Sequence, residues 1–292
     1  MPARDSIRHL VAVEKPLITP LAYDALSARL ITRAGFKSIG IGGSGMLAAR
    51  HGLPDIGLAA LGEMAAGTAD IVAATDLPVM VDGDDGYGDV MSVARMMEVY
   101  GRLGVSAVVL EDQIRDGKQP GDGGATAVVA AEAMVRKLKA AAAARIDAEL
   151  TIIARCDAYK LEGLDDAMRR AEQYLKAGAD GVFIPAVQQV EELATIGKRF
   201  RGAHLVAAIF EGRSTWLPPS QLYEMGFRQI VCPALLMTRV VYTLDVALRQ
   251  FHDFVDGKAP MPAIDDAERA RIALEEAVTM DRWKAFHARF QG

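Results

Sequence analysis

Several residue types that would indicate other classes of protein are scarce in this chain of 292 residues. Two cysteines, Cys156 and Cys232, are too few for a disulfide framework or a cysteine-based zinc cluster, and they favour a reducing compartment. No apolar run is long enough to cross a bilayer, and residues 1–15 lack the apolar core of a signal peptide. Basic residues do not outnumber acidic ones, since 33 Lys and Arg face 38 Asp and Glu. We therefore predict a soluble, cytoplasmic protein that binds neither nucleic acid nor a membrane.

Aromatic residues are also scarce, at 6%, whereas 51% of the chain is hydrophobic. This composition is typical of parallel strands buried under helices. Strand-like apolar runs alternate with helix-length amphipathic segments, which predicts an α/β fold, a (β/α)8 TIM-type barrel with extra C-terminal helices. The rival is an open doubly wound sheet, but no Gly-x-Gly-x-x-Gly opens the first helix. We assign residues 1–255 to a catalytic barrel domain and residues 256–292 to a helical tail.

The predicted strands are short, largely apolar runs. They cover residues 17–20, 38–42, 78–84, 107–112, 151–157, 181–185, 204–210 and 229–232. The predicted helices cover residues 22–34, 61–74, 90–103, 132–144, 164–178, 190–200, 221–225 and 235–254, with one or two more over 265–290. Residues 42–45 are expected to form a glycine-rich turn, followed by a loop.

The stretch Pro78–Gly88 carries the strongest functional signal. An apolar run ends in the carboxylates Asp82, Asp84 and Asp85, which stand among glycines. Because side chains alternate along a strand, Asp82 and Asp84 are expected on the same side, where like charges repel each other. A bound divalent cation would remove that repulsion. The alternative is an ordinary polar turn, since Asp-Gly is common in turns.

In α/β barrels the reactive groups lie at the carboxyl ends of the strands. The sequence places further polar residues there, namely Gly42, Gly43, Ser44, Asp55, Glu111, Arg155 and Asp157. Arg155 is expected either to bind a substrate carboxylate bidentately or to form a structural ion pair with Asp157 or Glu111. The backbone N–H groups of the glycine-rich stretch can approach another carboxylate. Both segments also have a purely structural interpretation: residues 42–45 as a tight turn and Asp55 as a helix cap.

Four motifs resemble the landmarks of the isocitrate lyase and phosphoenolpyruvate mutase superfamily. They are GLPDIG at 52–57, DGDDGYG at 82–88, EDQ at 111–113 and IARCDA at 153–158, in the order and at the spacing of that family. The resemblance implies a barrel that uses Mg²⁺, with Mn²⁺ as a second choice. It also implies chemistry on small 2-oxo or 2-hydroxy carboxylates through an enolate.

The resemblance assigns the metal-binding residues, and two candidate catalytic residues are added to them. It implies that Asp82, Asp84 and Glu111 hold the ion and its waters. Mg²⁺ keeps several waters, so only one or two carboxylates need to touch it. Asp55 lies nearby as a candidate catalytic residue, and Lys118, in the segment after the EDQ strand, is another.

The resemblance also assigns the substrate-binding residues and the assembly. Arg155, a candidate catalytic residue too, and the backbone of Gly42, Gly43 and Ser44 would bind substrate carboxylates. Members usually assemble as homotetramers, dimers of dimers, that exchange the last barrel helix between subunits. The long helix predicted over 235–254 suits such an exchange.

The chain departs from the carbon–carbon lyases of that family in the loop after the EDQ strand. Those lyases carry Lys-Arg-Cys-Gly-His there, whereas this chain has Asp116–Asp122, with Gln119 in place of the cysteine. Cys156 is no substitute, because strand alternation turns it away from the side that Arg155 faces. Positions where those lyases use Tyr, Glu and Asn hold Gly40, Pro185 and Ala208. The Asn and Ser of the phosphonate-handling members are also absent from this loop.

The chain keeps the metal and carboxylate anchors of the family that it resembles, which implies a Mg²⁺-dependent lyase or decarboxylase for a small 2-oxo or 2-hydroxy di- or tricarboxylate. Decarboxylation of a substrate such as oxaloacetate needs only a weak proton donor, so the missing thiol favours it over isocitrate-type cleavage. The alternatives are a mutase or hydrolase that acts on the phosphorus–carbon bond of a phosphonate and a barrel that binds a carboxylate without turnover. Residues 113–124, polar and rich in glycine, are a candidate lid.

Overall fold

A computed structural model describes residues 5–118, 126–210 and 217–291. Its centre is a closed barrel of parallel strands in sequence order, in which β8 pairs with β1. The strands are β1 (Leu17–Ala22), β2 (Ile39–Ile41), β3 (Val79–Asp82), β4 (Ala107–Glu111), β5 (Thr151–Arg155), β6 (Gly181–Phe183), β7 (His204–Ala208) and β8 (Phe227–Cys232). The predicted (β/α)8 barrel is confirmed, and the open sheet is wrong.

Helices follow the strands around the outside of the barrel. They are α1 (Ile7–Val13), α2 (Ala25–Arg33), α3 (Gly43–His51), α4 (Leu61–Ala74), α5 (Val90–Arg102), α6 (Ala131–Ala143), α7 (Tyr159–Glu162), α8 (Leu164–Lys176), α9 (Val190–Arg199), α10 (Pro219–Met225), α11 (Leu235–Val255), α12 (Ala267–Ala277) and α13 (Met280–Ala288). The predicted helices are present within a few residues, whereas α1, α3 and α7 were not predicted.

Helix α3 corrects the expectation of a glycine-rich turn and loop after β2. The helix starts at Gly43, with Gly42 as its N-cap, and ends at Gly52, which has the left-handed φ of 63° that favours glycine there. Glycine lowers helix propensity by about 1 kcal/mol per residue, which is why the sequence favoured a turn. Burial of Met46 and Leu47 against the barrel supplies the tertiary contacts that override this preference.

The amino end of the barrel is closed, so the carboxyl end is left for a ligand. Inward-facing side chains fill the interior, namely Leu17, Met80, Ala107, Val109, Ile153, Phe183, Val206 and Val231. Ile7 and Leu10 of α1 belong to the same buried cluster, and the N–H of Ile7 donates to Ser106 Oγ at 2.8 Å. Helix α1 therefore seals the end opposite the polar strand termini.

The carboxyl-terminal helices contact the barrel only in part. Helix α11 has no buried residue, whereas α12 packs on α2, where Arg29 Nη1 donates to the carbonyl of Ala277 at 3.0 Å. Exchange of α11 between subunits and the division at residue 256 stay predictions. Among the residues that the structure describes, no helix is long and apolar enough to span a membrane.

Candidate active site

A cavity of about 460 Å³ opens at the carboxyl end of the barrel. Predicted site residues from four strands or the loops after them line it, namely Gly42, Gly43, Ser44, Asp55, Asp82, Lys118 and Arg155. Asp84 and Glu111 contact Lys118 from behind this lining. The structure therefore brings together every predicted metal, catalytic and substrate-binding residue.

The turn after β3 has an unusual backbone. Asp84 and Tyr87 have φ values of 47° and 59°, in the left-handed region that few residues other than glycine adopt. Asp84 is buried, its N–H donates to Asp82 Oδ1 at 3.1 Å, and its carbonyl accepts from the N–H of Glu111 at 2.9 Å. These bonds fix the turn to β4, so the carboxyl of Asp84 is held beside that of Glu111. Strain of this kind is concentrated at functional sites.

The ammonium group of Lys118 lies among three carboxylates at the cavity mouth. Its Nζ forms a short ion pair with Asp84 Oδ1, lies 3.0 Å from Asp55 Oδ1 and lies 3.6 Å from Glu111 Oε1. The side chain of Glu111 is almost fully buried, at 2% exposure, so these charges interact in a poorly solvated space. A position that three carboxylates share is a position for a cation.

Burial disfavours the ionised forms of the carboxyls in this cluster, and the nearby cations offset that effect only in part. It raises the pKa of Asp84 to about 6, with repulsion from Asp82 adding to the rise and Lys118 opposing it. Burial likewise raises the pKa of Glu111 to about 8 against the opposing pull of Arg155 and Lys118. The two carboxyls therefore lose their protons far less readily than exposed ones, and a divalent cation would reverse that.

The donor set suits a metal ion that keeps part of its hydration shell. Within residues 5–118, 126–210 and 217–291, no three acidic, His or Cys side chains converge closely enough to coordinate one ion directly. The oxygens of Asp55, Asp84 and Glu111 nevertheless surround one position, which the ammonium of Lys118 contacts. Mg²⁺ accepts one or two protein oxygens together with water, so the residues fit such an ion.

Arg155 is held in ion pairs on both sides. Its Nη2 donates to Asp157 Oδ1 at 2.8 Å, and its Nη1 lies 3.2 Å from Glu111 Oε2, the neighbour that strand pairing places beside it. Both carboxylates raise the pKa of Arg155, although burial alone would lower it. Within the described part of the chain, three buried atoms have no hydrogen-bond partner, namely Arg155 Nε, Glu111 Oε2 and Asp157 Oδ2. Such atoms need a bound molecule or water to satisfy them.

A further buried carboxylate, Asp112, supports Asp157 from outside the cavity. Asp112 Oδ1 accepts from the N–H of Asp157 at 2.8 Å, and its Oδ2 accepts from Tyr174 Oη at 2.7 Å. Arg170 Nη1 lies 3.7 Å from the same Oδ2. This network fixes the backbone of Asp157, and through it the guanidinium of Arg155.

The first turn of α3 faces the same cavity. The first N–H groups of a helix have no intrahelical partner, and Gly42 has no side chain to cap them. Gly42, Gly43 and Ser44 line the cavity, so this helix start borders the ligand space. A Cβ added at Gly43 would lie 3.4 Å from Asp55 Oδ2, so glycine lets the backbone approach this carboxylate closely. A helix N-terminus of this kind favours a bound anion.

Two cysteines and one carboxylate lie apart from the site. Asp85 forms a short ion pair with Arg115 and lies 3.5 Å from Lys137 Nζ, so it anchors the segment after β4 instead of joining the cluster. Cys156 is buried on the helix side of the barrel, where its Sγ lies 3.6 Å from the carbonyl of Ala167, as strand alternation predicts. Cys232 is unpaired and lines a separate outer pocket. Gln119 lies outside the described residues.

The candidate lid is described only in part. Gln113 is buried, lines the cavity and bridges to Val128, and residues 115–117 form a 3₁₀ turn. Residues 119–124 of the predicted segment fall outside the described chain, so its closure stays a prediction. The sequence analysis missed Gln113, Phe183 and Val206 as lining residues. Continued strand alternation from Glu111 would have indicated the first, and alternation along β6 and β7 the others.

Comparison with known proteins extends the similarity beyond these residues. The chain matches the family model described as phosphoenolpyruvate phosphomutase over residues 7–252. The 2,3-dimethylmalate lyase of Eubacterium barkeri is 34% identical over 246 residues, which cover 83% of this chain and 85% of the relative. The 2-methylisocitrate lyase of Halalkalibacterium halodurans is 33% identical over 282 residues, which cover 96% and 91%. A crystal structure of 2,3-dimethylmalate lyase, described as a PEP mutase/isocitrate lyase superfamily member, matches with a TM-score of 0.85 at 27% identity and covers 97% of both chains.

Proposed function

The chain belongs to the PEP mutase/isocitrate lyase superfamily, and we propose that it is a metal-dependent lyase for a small 2-oxo or 2-hydroxy carboxylate. The resemblance that the four sequence motifs indicated is thereby confirmed. The relatives named as 2,3-dimethylmalate lyase and 2-methylisocitrate lyase support cleavage of a carbon–carbon bond in such an acid. Loss of CO₂ from a 2-oxo acid is a reaction of the same class and stays open.

One observation carries the proposal. The ammonium of Lys118 lies among Asp55, Asp84 and Glu111 at the mouth of the cavity, beside the guanidinium of Arg155. The site thus joins a position for a cation to groups that bind carboxylates. A structural turn would require neither the buried carboxylates nor their convergence on one point.

We assign the metal site to Asp84 and Glu111, which lie around the position of the Lys118 ammonium, and to Asp82, which lines the cavity beside Asp84, with Asp55 facing the same position. Mg²⁺ is the favoured ion and Mn²⁺ an alternative. When bound, the ion would supply positive charge for the negative charge that develops on a substrate oxygen. Asp84 and Glu111 then keep their charged forms, because an adjacent cation lowers a raised carboxyl pKa. Lys118 must give up part of its contact with these carboxylates when the ion enters.

Lys118 and Asp55 are the groups that can move protons. Asp55 Oδ1 lies 3.0 Å from Lys118 Nζ, so the two can exchange a proton directly. In cleavage of a 2-hydroxy acid, Asp55 takes the hydroxyl proton as the carbon–carbon bond breaks. Burial alone would lower the pKa of Lys118, but the surrounding carboxylates raise it well above its usual value. Lys118 Nζ can therefore protonate the leaving carbon only where a bound cation offsets those carboxylates. In decarboxylation only the second transfer is needed. The thiol that related lyases use is not required in this scheme.

Arg155 and the first turn of α3 bind the substrate carboxylates. Arg155 is held on two sides by Glu111 and Asp157, and its side chain lines the cavity where a substrate carboxylate would lie. The N–H groups that follow Gly42 offer the second anion site. Fixed donors on both sides of the cation position orient the bond to be broken.

Product analysis over a panel of 2-oxo and 2-hydroxy acids tests the proposal. With Mg²⁺, we expect release of pyruvate, glyoxylate or CO₂ from at least one acid and loss of turnover with a chelator. Release of inorganic phosphate from phosphonopyruvate would instead indicate phosphorus–carbon chemistry. Tight binding of a 2-oxo acid without any product would leave only a binding role.

Metal affinity measured by calorimetry tests the cation position without turnover. Lys118→Met removes the competing ammonium, so we expect Mg²⁺ to bind more tightly than to the wild type while turnover falls. Lys137→Met is the matched control, because Lys137 contacts Asp85 outside the cluster. Unchanged or weaker Mg²⁺ affinity in Lys118→Met would contradict a shared position.

We also propose a homotetramer in a cytoplasmic setting. Helix α11 presents an exposed apolar stripe at helical spacing, namely Val241, Leu244, Leu248, Phe251 and Val255. An apolar pocket of about 410 Å³ on the outer side of β8 and β1 could receive the α11 of a neighbouring subunit. Both thiols are unpaired, in agreement with a reducing compartment. Light scattering should give a tetramer that Leu248→Glu dissociates and Gln250→Glu does not.

A further inference from the structure

Arg115 lies outside the cavity lining, but it joins the two chain segments that bring Asp55 and Lys118 together. Its Nη1 donates to two carbonyl oxygens of the loop between α3 and α4, at 3.1 Å to Gly57 and 3.2 Å to Ala59. The same loop carries Asp55. On the other side, the carbonyl of Arg115 accepts from the N–H of Lys118 at 3.1 Å. One arginine therefore links the backbones on both sides of the proposed proton transfer.

From this arrangement we propose that Arg115 is a positioning residue, which acts on turnover by holding Asp55 and Lys118 within reach of each other. The proposal rests on the function proposed above and deepens it. Asp55 Oδ1 lies 3.0 Å from Lys118 Nζ, close enough for a proton to pass. A misplacement of about 1 Å in such a pair can lower the rate about a hundredfold. The bonds from Arg115 prevent the two segments from moving apart.

The contact between Arg115 and this loop is built into the packing. Gly57 has a φ of 79°, and a Cβ added to it would lie 2.9 Å from Arg115 Cγ. Glycine both adopts this backbone and leaves room for the arginine. The guanidinium carbon lies 5.5 Å from the centre of the Tyr87 ring, where an aromatic face attracts a cation. Neighbours on different sides therefore hold the half-buried arginine in one place.

Asp85 binds the remaining side of the guanidinium, and it has a second cation. It forms a short ion pair with Arg115 Nη2, while Lys137 Nζ donates to its carbonyl at 2.6 Å and lies 3.5 Å from its Oδ2. Asp85 therefore keeps a cationic partner when either side chain is replaced. In the described part of the chain the polar contacts of Lys137 are with Asp85, so Lys137 cannot replace the bonds from Arg115 to residues 57 and 59.

Two of the metal-binding carboxyls are held independently of Arg115. The N–H of Glu111 donates to the carbonyl of Asp84 at 2.9 Å, which ties these two residues to each other. Loss of the bonds from Arg115 should therefore loosen Asp55 and Lys118 while the carboxyls of Asp84 and Glu111 stay in place. Because the ammonium of Lys118 occupies the cation position, a loosened Lys118 competes less with an ion.

Arg115→Lys tests the proposal in the full-length protein. Lysine keeps the charge beside Asp85, but its one nitrogen cannot reach Asp85 and both carbonyl oxygens together. With Mg²⁺ and the best substrate of the panel, we expect kcat to fall about tenfold to a hundredfold. KM should stay within a few-fold, since Arg155 and the start of α3 bind the substrate.

Lys137→Met is the matched control for the charge. It removes a cation beside Asp85 but none of the bonds to the loop that carries Asp55, so kcat should stay within a few-fold of the wild type. An equal fall in kcat in both variants would assign the effect to Asp85 and overturn the proposal.

A double-mutant cycle separates positioning from general destabilisation. If Arg115 acts through Lys118, then Arg115→Lys should lower kcat little further in the Lys118→Met background. A merely structural role predicts the same loss in both backgrounds, together with a lower melting temperature. Equal losses would therefore overturn the proposal.

Calorimetry with Mg²⁺ alone repeats the cycle without turnover. Arg115→Lys should bind Mg²⁺ severalfold more tightly than the wild type, and this gain should vanish in the Lys118→Met background. Unchanged or weaker Mg²⁺ binding in Arg115→Lys would overturn the proposal. If no acid of the panel is cleaved, the lyase is refuted, and the Mg²⁺ affinities still decide whether Arg115 holds Lys118 in place.

Discussion

Replacement of Arg155 by lysine decides between a substrate-binding and a structural role. Lysine keeps the positive charge but offers one nitrogen, whereas the guanidinium already contacts Asp157 at 2.8 Å and Glu111 at 3.2 Å with separate nitrogens. A lysine ammonium cannot serve both carboxylates and a substrate at once. Loss of a charge-assisted hydrogen bond costs about 1.5–3 kcal/mol. We therefore expect kcat/KM to fall by roughly a hundredfold or more.

The assay compares kinetics with stability, because both roles predict some loss. We would measure kcat/KM on the best substrate of the panel, the Kd of a 2-oxo acid inhibitor, and the melting temperature. Arg145→Lys is the matched control, since Arg145 is a largely buried arginine that pairs with Asp180 at 3.1 Å without lining the cavity. Its melting temperature should fall while kcat/KM stays within a few-fold.

Near-normal kcat/KM in Arg155→Lys would refute the reasoning and make Arg155 a structural ion pair. A fall in melting temperature with unchanged inhibitor affinity would lead to the same conclusion. Weakened inhibitor binding at an unchanged melting temperature would locate the loss in the carboxylate contact.

Four further outcomes follow from the site. Asp84→Asn tolerates the left-handed φ of 47° and should abolish metal-dependent turnover with a normal circular dichroism spectrum, and chelator-insensitive wild-type turnover would contradict this. Because the pKa of Glu111 is raised from 4.5 to about 8, its proton competes with the ion, so Mg²⁺ affinity should rise by up to about tenfold per pH unit between pH 6 and 8. A Mg²⁺ affinity that stays constant between pH 6 and 8 in calorimetry would refute this competition. Alkylation should spare activity, since Cys156 is buried and Cys232 lies outside the site, and substrate-protected inactivation would show otherwise. Because Gln119, which stands where related lyases carry a cysteine, cannot act as a general acid, any glyoxylate or pyruvate release from isocitrate or methylisocitrate should depend on Lys118 and fall by about 10²–10⁴-fold in Lys118→Met.

The same raised pKa has a consequence for the metal-free protein. A carboxyl whose folded pKa exceeds its unfolded value keeps its proton in the fold after the unfolded chain has lost it. The free energy of unfolding therefore falls as the pH rises from about 4.5 toward about 8, the two pKa values of Glu111. Mg²⁺ should reverse this trend in a thermal melt at pH 8.

The barrel and most of the site could be predicted from sequence because each follows from a local pattern. Apolar runs followed by Asp82, Glu111 and Arg155 locate three strand ends, and parallel pairing then brings those ends to one mouth. The structural ion pair that was one alternative for Arg155 follows from strand register, since Glu111 and Arg155 are direct partners across β4 and β5. The sequence left the ion pair and the substrate contact open, and in the structure the first is present.

The parts that sequence could not provide depend on contacts distant in the chain. Three glycines after β2 favour a turn locally, but burial of Met46 and Leu47 makes the segment helical. Asp85 was expected at the mouth, yet the left-handed backbone at Asp84 sends it toward Arg115. No periodicity marks the segment after β4, so nothing indicated that Lys118 reaches three carboxylates. Their meeting is a property of the closed barrel alone.

Sequence-based rules for backbone conformation and charge burial fail mainly at the candidate active site, where strained or poorly paired groups destabilise the fold. Away from the site, local rules hold in elements such as α2, where Asp24 and Ser27 form a capping box. At the end of β3 the chain instead accepts a left-handed aspartate and carboxylates buried with too little positive charge. Natural sequences keep such features where function requires them. Because the ion that relieves the repulsion is also the one that the chemistry needs, binding of metal should make the protein more stable and complete its active site in the same step.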